Sequence, residues 1–289
     1  MKFELDDDQR DLASALERLL ASSDTVAVAR AWADGDPAGG LALWKRLADL
    51  GVTMLAAEAT PVEVCIAFEA LGRHAVPGPW VESAAYLPVA LGREVTGVAT
   101  LALPPHVPFA LDADIADEVY VGTTPAGRIG ALHVSVDRTR RLFEVGGGGE
   151  TDPAAFDLAV LATAAQLLGA GERVLADSVA YVKARRQFGR EIGSYQAIKH
   201  ALADVRIALD FARPLVLGAA LAEVPAGAAK IAAGEAAYLA SRTGLQVHGA
   251  IGYTAEFDLS LWITKIRALL TAWGTPAHHR SRLLAELSA

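Results

Sequence analysis

Cysteine is almost absent: Cys65 is the only one in 289 residues. No internal disulfide can form, which fits a reducing, cytoplasmic setting. Positive charge is short as well. Lys and Arg total 26 against 34 Asp and Glu, a formal net charge of -8. Neutralising nucleic-acid phosphates takes a basic face, so no nucleic-acid partner is expected. The acidic opening "MKFELDDDQR" lacks the charged-then-apolar layout of a signal peptide. No uninterrupted apolar run approaches the length that spans a bilayer. The most apolar stretch, "AAFDLAVLATAAQLLGAGE", is interrupted by Asp157 and Gln166 and reads as a buried helix. No membrane association and no metal site are expected. What is abundant is core-forming material: 53% hydrophobic residues and 21% charged ones. That composition supports a large core and excludes a disordered chain.

Residues 1–92 read as helical. "DDDQRDLASALERLLASS" sets Leu12, Leu16, Leu19 and Leu20 on one face, and "GGLALWKRLADLGV" repeats the pattern. "PVEVCIAFEALGRHAVPGPWV" is a third helix, with Gly72 as its stop and Pro77 and Pro79 beyond. Over 93–150 the texture changes to short valine-rich runs, "VATLALP", "FALDADIA", "DEVYVGTT" and "IGALHVSV", with "TPAGR" as a turn. The segment ends at "VGGGGETDP", where four glycines make a hinge, Asp152 suits a helix cap and Pro153 a first turn. Residues 151–289 are helical again. One long helix is expected to about Phe188, a second from Ser194, a third over Ala226–Gly249 and a fourth over Leu259–Leu270, which make a four-helix bundle. The class is α+β, with a small sheet block between two helical ones.

The least ordinary stretch is "ARRQFGREIGSYQAIKHALADV". It sets two arginines, a phenylalanine and a glycine at a helix break. The plain explanation is local: arginines at a helix C-terminus complement the macrodipole, and Gly189 caps the helix.

That stretch, taken with its neighbours in order, resembles the FAD-dependent acyl-CoA dehydrogenases over essentially the whole chain. "FELDDDQRDLASALERLL" and "LWKRLADLGV" resemble the family's N-terminal helices, and "RRQFGREIGSYQAIKHALADV" its R-x-F-G segment. "LQVHGAIGYTAEFDL" resembles its Q-x-x-G-G-x-G-Y-T-x-E motif. The tail "GTPAHHRSRL" is similar to that of shortened members associated with steroid side-chain degradation, which form α2β2 assemblies. The resemblance implies FAD as cofactor and a bulky, steroid-like acyl-CoA as substrate. The partner it implies is a homologous subunit or a second copy of the chain. It assigns Arg185, Gln187 and Phe188 to FAD bound mainly by the neighbour, with Gln246 and Gly249 as a second FAD segment and Thr275 near the adenine end. Forked arginine donors suit pyrophosphate oxygens, and an aromatic ring offers a stacking face. Ala250 and Ala277 stand where the family commonly has glycine and glutamine.

The family abstracts the proton alpha to a thioester with a carboxylate and passes hydride to the flavin. Here the usual base position is Trp273 and the alternative position is Ala159; neither accepts a proton. The family's T-E-x-x-x-G-S-D loop is also missing from "LALPPHVPFALDADIAD". Two explanations stand side by side. In one, the chain is a catalytically silent subunit that completes a partner's FAD site. In the other, it is a self-sufficient enzyme with a relocated base, Glu256 or Asp258, which otherwise read as capping or bracing residues. Glu235 is a further acid on an apolar helix, and a flavin-free scaffold of the same fold is the third reading. His248 reads as a satisfied core group.

Overall fold

The computed structural model describes residues 3–288; Met1, Lys2 and Ala289, at the ends of the 1–92 and 151–289 segments, lie outside it. The N-terminal helices are α1 (Asp7–Ala21), α2 (Thr25–Ala33), α3 (Ala38–Asp49), α4 (Leu55–Glu58), α5 (Pro61–Arg73) and α6 (Leu87–Leu91). Local chemistry starts them. Asp6 and Gln9 form a reciprocal capping box at α1, and Thr60 and Glu63 form another at α5 with Pro61 in its first turn. Leu16 and Leu20 of α1 are buried, as their spacing requires.

Between α6 and the long C-terminal helices lie two three-stranded sheets. β1 (Ala99–Ala102) pairs in parallel with β3 (Glu118–Val121), which pairs antiparallel with the short β4 (Thr124–Pro125). β2 (Ala110–Leu111) and β5 (Arg128–His133) both pair antiparallel with β6 (Leu142–Gly146). β6 was not expected from the sequence; it runs straight into the glycine tract, which reads as hinge. The far end of that tract is packed: a Cβ on Gly149 would lie 1.7 Å from the Val121 carbonyl oxygen, at the end of β3, whereas Gly146 and Gly148 have open space beside them.

The remaining helices are α7 (Pro153–Ala184), α8 (Gln196–Ala220), α9 (Ala226–His248), α10 (Leu259–Leu269) and α11 (Pro276–Leu287). α7 starts as the sequence suggests: Asp152 accepts from the Ala155 N–H at 2.8 Å, with Pro153 in the first turn. By length and composition α7 is apolar enough to cross a membrane, but 83% of its most apolar window is buried within the protein. It is the central strut, packed on α5, α8, α9 and α10. Two expectations are corrected. Gly72 does not end α5; it lies inside it, and a Cβ there would sit 2.0 Å from the Gln166 carbonyl oxygen of α7. Gly169 faces back in the same way, 1.9 Å from the Glu69 carbonyl oxygen. The two glycines allow α5 and α7 to cross backbone to backbone. The second correction concerns the tail, which forms a fifth helix, α11, beyond the four expected. Thr275 caps it and Pro276 opens it.

Ion pairs fix the crossing. Arg213 of α8 bonds Glu69 of α5 at 2.8 and 2.9 Å and Glu172 of α7 at 3.1 Å, while Arg206 bonds Glu172 at 2.6 and 2.7 Å. Burial works against the Glu172 charge, yet the two guanidinium groups hold its carboxyl below the usual range.

Candidate functional site

The arginine–phenylalanine stretch is not a helix end. α7 stops at Ala184, and Arg185 is already extended, at φ -78° and ψ 125°. β7 (Arg186–Gln187) then pairs antiparallel with β8 (Arg190–Glu191). Phe188 and Gly189 form the two-residue turn, at φ 51° and 83°. Two successive left-handed residues are what a tight hairpin turn of this kind demands. Glycine meets the requirement easily, but a bulky phenylalanine at positive φ is strained and rare. Phe188 is nevertheless 90% exposed, so no packing within the chain accounts for it.

The hairpin sorts its cations. Side chains alternate along a strand, so Arg185 and Gln187 share a side and Arg186 takes the other. Arg186 donates to the Gly189 carbonyl at 3.3 Å, and Arg190 stacks over the Tyr195 ring at 3.9 Å. Among the described residues the Arg185 guanidinium has no ion-pair or side-chain hydrogen-bond partner. It lines a cleft of about 550 Å³ together with Gln187, Phe188, Tyr181, His248 and Gly249. His248 is buried, donates from Nδ1 to the Gly244 carbonyl at 2.7 Å, and lies against the Tyr181 ring at 4.2 Å. It is a satisfied group beneath the cleft.

Gly249 ends α9 at φ 65° and ψ -140°, a backbone state open essentially to glycine alone, and a Cβ there would meet open space. Gly249 and the exposed Ala250 also border a second cleft of about 500 Å³ lined by Gln246 and Arg242. Gln246 is exposed. The two segments expected to share a ligand therefore meet at one surface. Thr275 is not in either lining. Its hydroxyl accepts from the His278 N–H at 3.2 Å and caps α11, a structural duty that its position in the tail did not reveal.

Both positions that the resemblance assigns to the base are closed. Ala159 is 0% exposed and Trp273 is 1% exposed. The indole lies against Tyr86 at 5.2 Å and Phe156 at 5.9 Å, aromatic rings from the N-terminal block and from α7. Its turn is held from below. Lys230 Nζ donates to the Ala272 carbonyl at 2.9 Å and reaches those of Leu270 and Gly274 at 3.4 Å. Burial pushes this amine down to about 7. His279, pushed down to about 4 by burial and by the neighbouring Lys230, bonds the Trp273 carbonyl through Nε2 at 3.0 Å.

The acids weighed as replacements lie elsewhere. Glu256 and Asp258 are exposed, and Asp258 makes no cap bond; it pairs with Arg30 at 2.8 Å, which also holds the Ala255 and Glu256 carbonyls. Glu235 pairs with Arg280 at 2.5 Å. The carboxyl beside Trp273 is one that sequence reasoning missed. Glu82, in a π-turn over Glu82–Tyr86, is 1% exposed and faces the indole and the Arg140 guanidinium. Burial pushes its carboxyl above the usual range, and Arg140 pulls the other way. The stretch after β1 forms a turn closed on itself, with Leu103 and Val107 exchanging backbone bonds at 2.6 and 2.9 Å.

Helices, a small sheet block and a long central helix make up the acyl-CoA dehydrogenase fold. The chain belongs to that family. Residues 146–288 match the family model "Acyl-CoA dehydrogenase, C-terminal domain". It is 35% identical over 247 residues to acyl-CoA dehydrogenase IpdE2 of Mycobacterium tuberculosis, covering 78% of this chain and 77% of that one. It is 31% identical over 246 residues to the IpdE2 of Mycolicibacterium smegmatis, covering 78% of each. Among solved structures, butyryl-CoA dehydrogenase from Megasphaera elsdenii superposes with a TM-score of 0.84 at 18% identity over 100% of both chains. A chain of the ChsE4–ChsE5 complex from Mycobacterium tuberculosis superposes at 0.82, with 21% identity over 100% of this chain and 99% of that one. These two show the fold.

The residues at the hairpin fit the distal part of FAD. An unpartnered guanidinium suits a pyrophosphate, an exposed ring suits a flat heterocycle, and the Gly249 bend leaves room for close approach. No comparable fit exists at Trp273 and Ala159 for the reacting end of a flavin and its substrate, since both are sealed in the core.

Proposed function

We propose that this chain is a subunit of an FAD-dependent acyl-CoA dehydrogenase, and that it completes the FAD site of a homologous partner without supplying a base. Support comes from one contrast: a strained, exposed Phe188 beside an unpaired Arg185, against base positions buried at Trp273 and Ala159. Arg185 balances the pyrophosphate charge, Gln187 adds an amide on the same side, and Phe188 offers its face. When bound, FAD supplies the hydride acceptor for alpha,beta-desaturation of an acyl-CoA. The bulky, steroid-like acyl group is inferred from the resemblance of the tail "GTPAHHRSRL". Within this chain that tail caps α11 through Thr275 and pairs Arg282 with Asp157 at 2.8 Å.

A second reading, a self-sufficient enzyme with a relocated base, gains one observation: Glu82 is a carboxyl next to the Trp273 indole. Its burial from solvent weighs against it.

Arg185→Ala is expected to weaken FAD binding in the assembled complex by about 1.5–3 kcal/mol, the range for a charge-assisted hydrogen bond. Arg186→Ala is expected to cost much less, because its guanidinium is turned back onto the Gly189 carbonyl. Flavin retained after gel filtration and measured by absorbance separates the two variants. Equal retention would contradict the assignment.

A further inference from the structure

The three blocks of the chain meet at a cleft of about 370 Å³. Ala33, at the end of α2, enters from the N-terminal helices and Val136 from the connection between β5 and β6; Leu245 of α9 and Leu261 and Ile263 of α10 complete the apolar wall. Pockets for small organic molecules form preferentially at such junctions, with mostly apolar walls and a few polar groups. The charges around this one are matched, and each pair joins two different blocks. Arg30 of α2 meets Asp258, just before α10, at 2.8 Å. Arg138 of the β5–β6 connection meets Asp34 at 3.0 Å, and Lys265 of α10 meets the buried Asp137 at 3.3 Å. An ionic ligand would find no free counter-ion here. It would be withdrawn from water uncompensated or would break one of these pairs, and both are costly. Two hydroxyls of α10 also line the cleft. Ser260 Oγ donates to the Ala255 carbonyl at 3.1 Å, and Thr264 Oγ1 to the Ser260 carbonyl at 2.8 Å. Each has used its one proton and keeps a lone pair with which to accept.

We propose that this junction binds a small neutral molecule with an apolar ring body and one hydroxyl donor. The body rests on Ala33, Leu245, Leu261 and Ile263, and the hydroxyl donates to Thr264 Oγ1. Burial of the ring supplies the affinity, and the closed ring of ion pairs supplies the preference for a neutral ligand. The cleft shares no residue with the hairpin cleft, and only Leu245 and Tyr253 with the cleft at Gln246, so the site stands or falls independently of the FAD reading.

The test is calorimetric titration of the full chain, near neutral pH, with three ligands of one shape: 2-naphthylmethanol, the anion 2-naphthoate and the cation 2-naphthylmethylammonium. The alcohol is expected to bind saturably, at least about tenfold tighter than either ion. Ala33→Phe puts a ring into the cleft and is expected to weaken the alcohol at least about tenfold, with circular dichroism checking the fold. Thr264→Val keeps the shape of the wall and removes the acceptor; a loss of about threefold to tenfold is expected. Phe188→Ala and Arg242→Gln, in the two other clefts, are expected to bind the alcohol as the wild type does. The proposal is overturned if the wild type does not bind the alcohol saturably, or if either ion binds as tightly. It is also overturned if folded Ala33→Phe or Thr264→Val binds like the wild type, or if Phe188→Ala or Arg242→Gln loses the alcohol.

Discussion

Gly169→Ala is expected to destabilise the protein by about 3 kcal/mol or more, although alanine is the better helix former by about 1 kcal/mol. The sign is decided by geometry. The added methyl would lie 1.9 Å from the Glu69 carbonyl oxygen and 2.9 Å from the Arg73 nitrogen, both backbone atoms of α5. Neither can swing aside as a side chain does, so α5 and α7 must separate. Gly72→Ala is expected to behave alike, against the Gln166 carbonyl oxygen at 2.0 Å. Gly39→Ala is the control: its methyl would meet only the Val28 side chain at 3.6 Å, an ordinary contact, so helix propensity should dominate and stability should rise slightly. Urea unfolding of the three variants reads these differences. A Gly169→Ala protein as stable as the wild type would contradict the described crossing.

Trp273→Ala is expected to cost about 3–5 kcal/mol of stability, as removal of a buried tryptophan does, and yet to leave catalysis in the complex intact in whatever fraction stays folded. Trp273 is 1% exposed between Tyr86 and Phe156, and burial there holds it at a left-handed φ of 57°. In the silent-subunit reading this indole fills the place where chemistry would otherwise occur. Trp273→Phe should recover most of the stability, again without a change in rate. The same assay, dehydrogenation with an artificial electron acceptor, is applied to Glu82→Gln, Glu256→Gln and Asp258→Asn. Loss of a positioned general base costs about 10²–10⁴-fold. Changes of only a few-fold are expected for all three. A drop of two orders of magnitude in any one, with flavin still bound, would return the chemistry to this chain.

The helical blocks and the α7 start were legible because they are written locally, in capping boxes, in Pro153 after Asp152 and in leucine spacing. The end of α7 was not. Arginines and a glycine after a helix are what a C-terminus also contains, and only the pairing of Gln187 with Arg190 reveals a hairpin. A helix would also turn Arg185 and Arg186 apart, so the sequence alone does not tell that rotation from the strand alternation that separates them here. Gly72 read as a stop because its role depends on Gln166, far away in sequence. The resemblance points to Trp273 by position, but its burial depends on Tyr86 and Phe156, and nothing in the sequence around Glu82 marks the π-helical turn that sets it beside the indole. Thr275 was assigned by position, whereas the α11 cap it forms needs the helix that follows.

The flavin-to-protein ratio of the chain, measured alone and with a homologous flavin-binding subunit, tests the shared-site account most directly. Sedimentation is run on the same samples. The chain alone is expected to carry little FAD, and the complex to be yellow, oligomeric and dependent on Arg185 for its flavin. One FAD per chain in a stable monomer at micromolar concentration would contradict it.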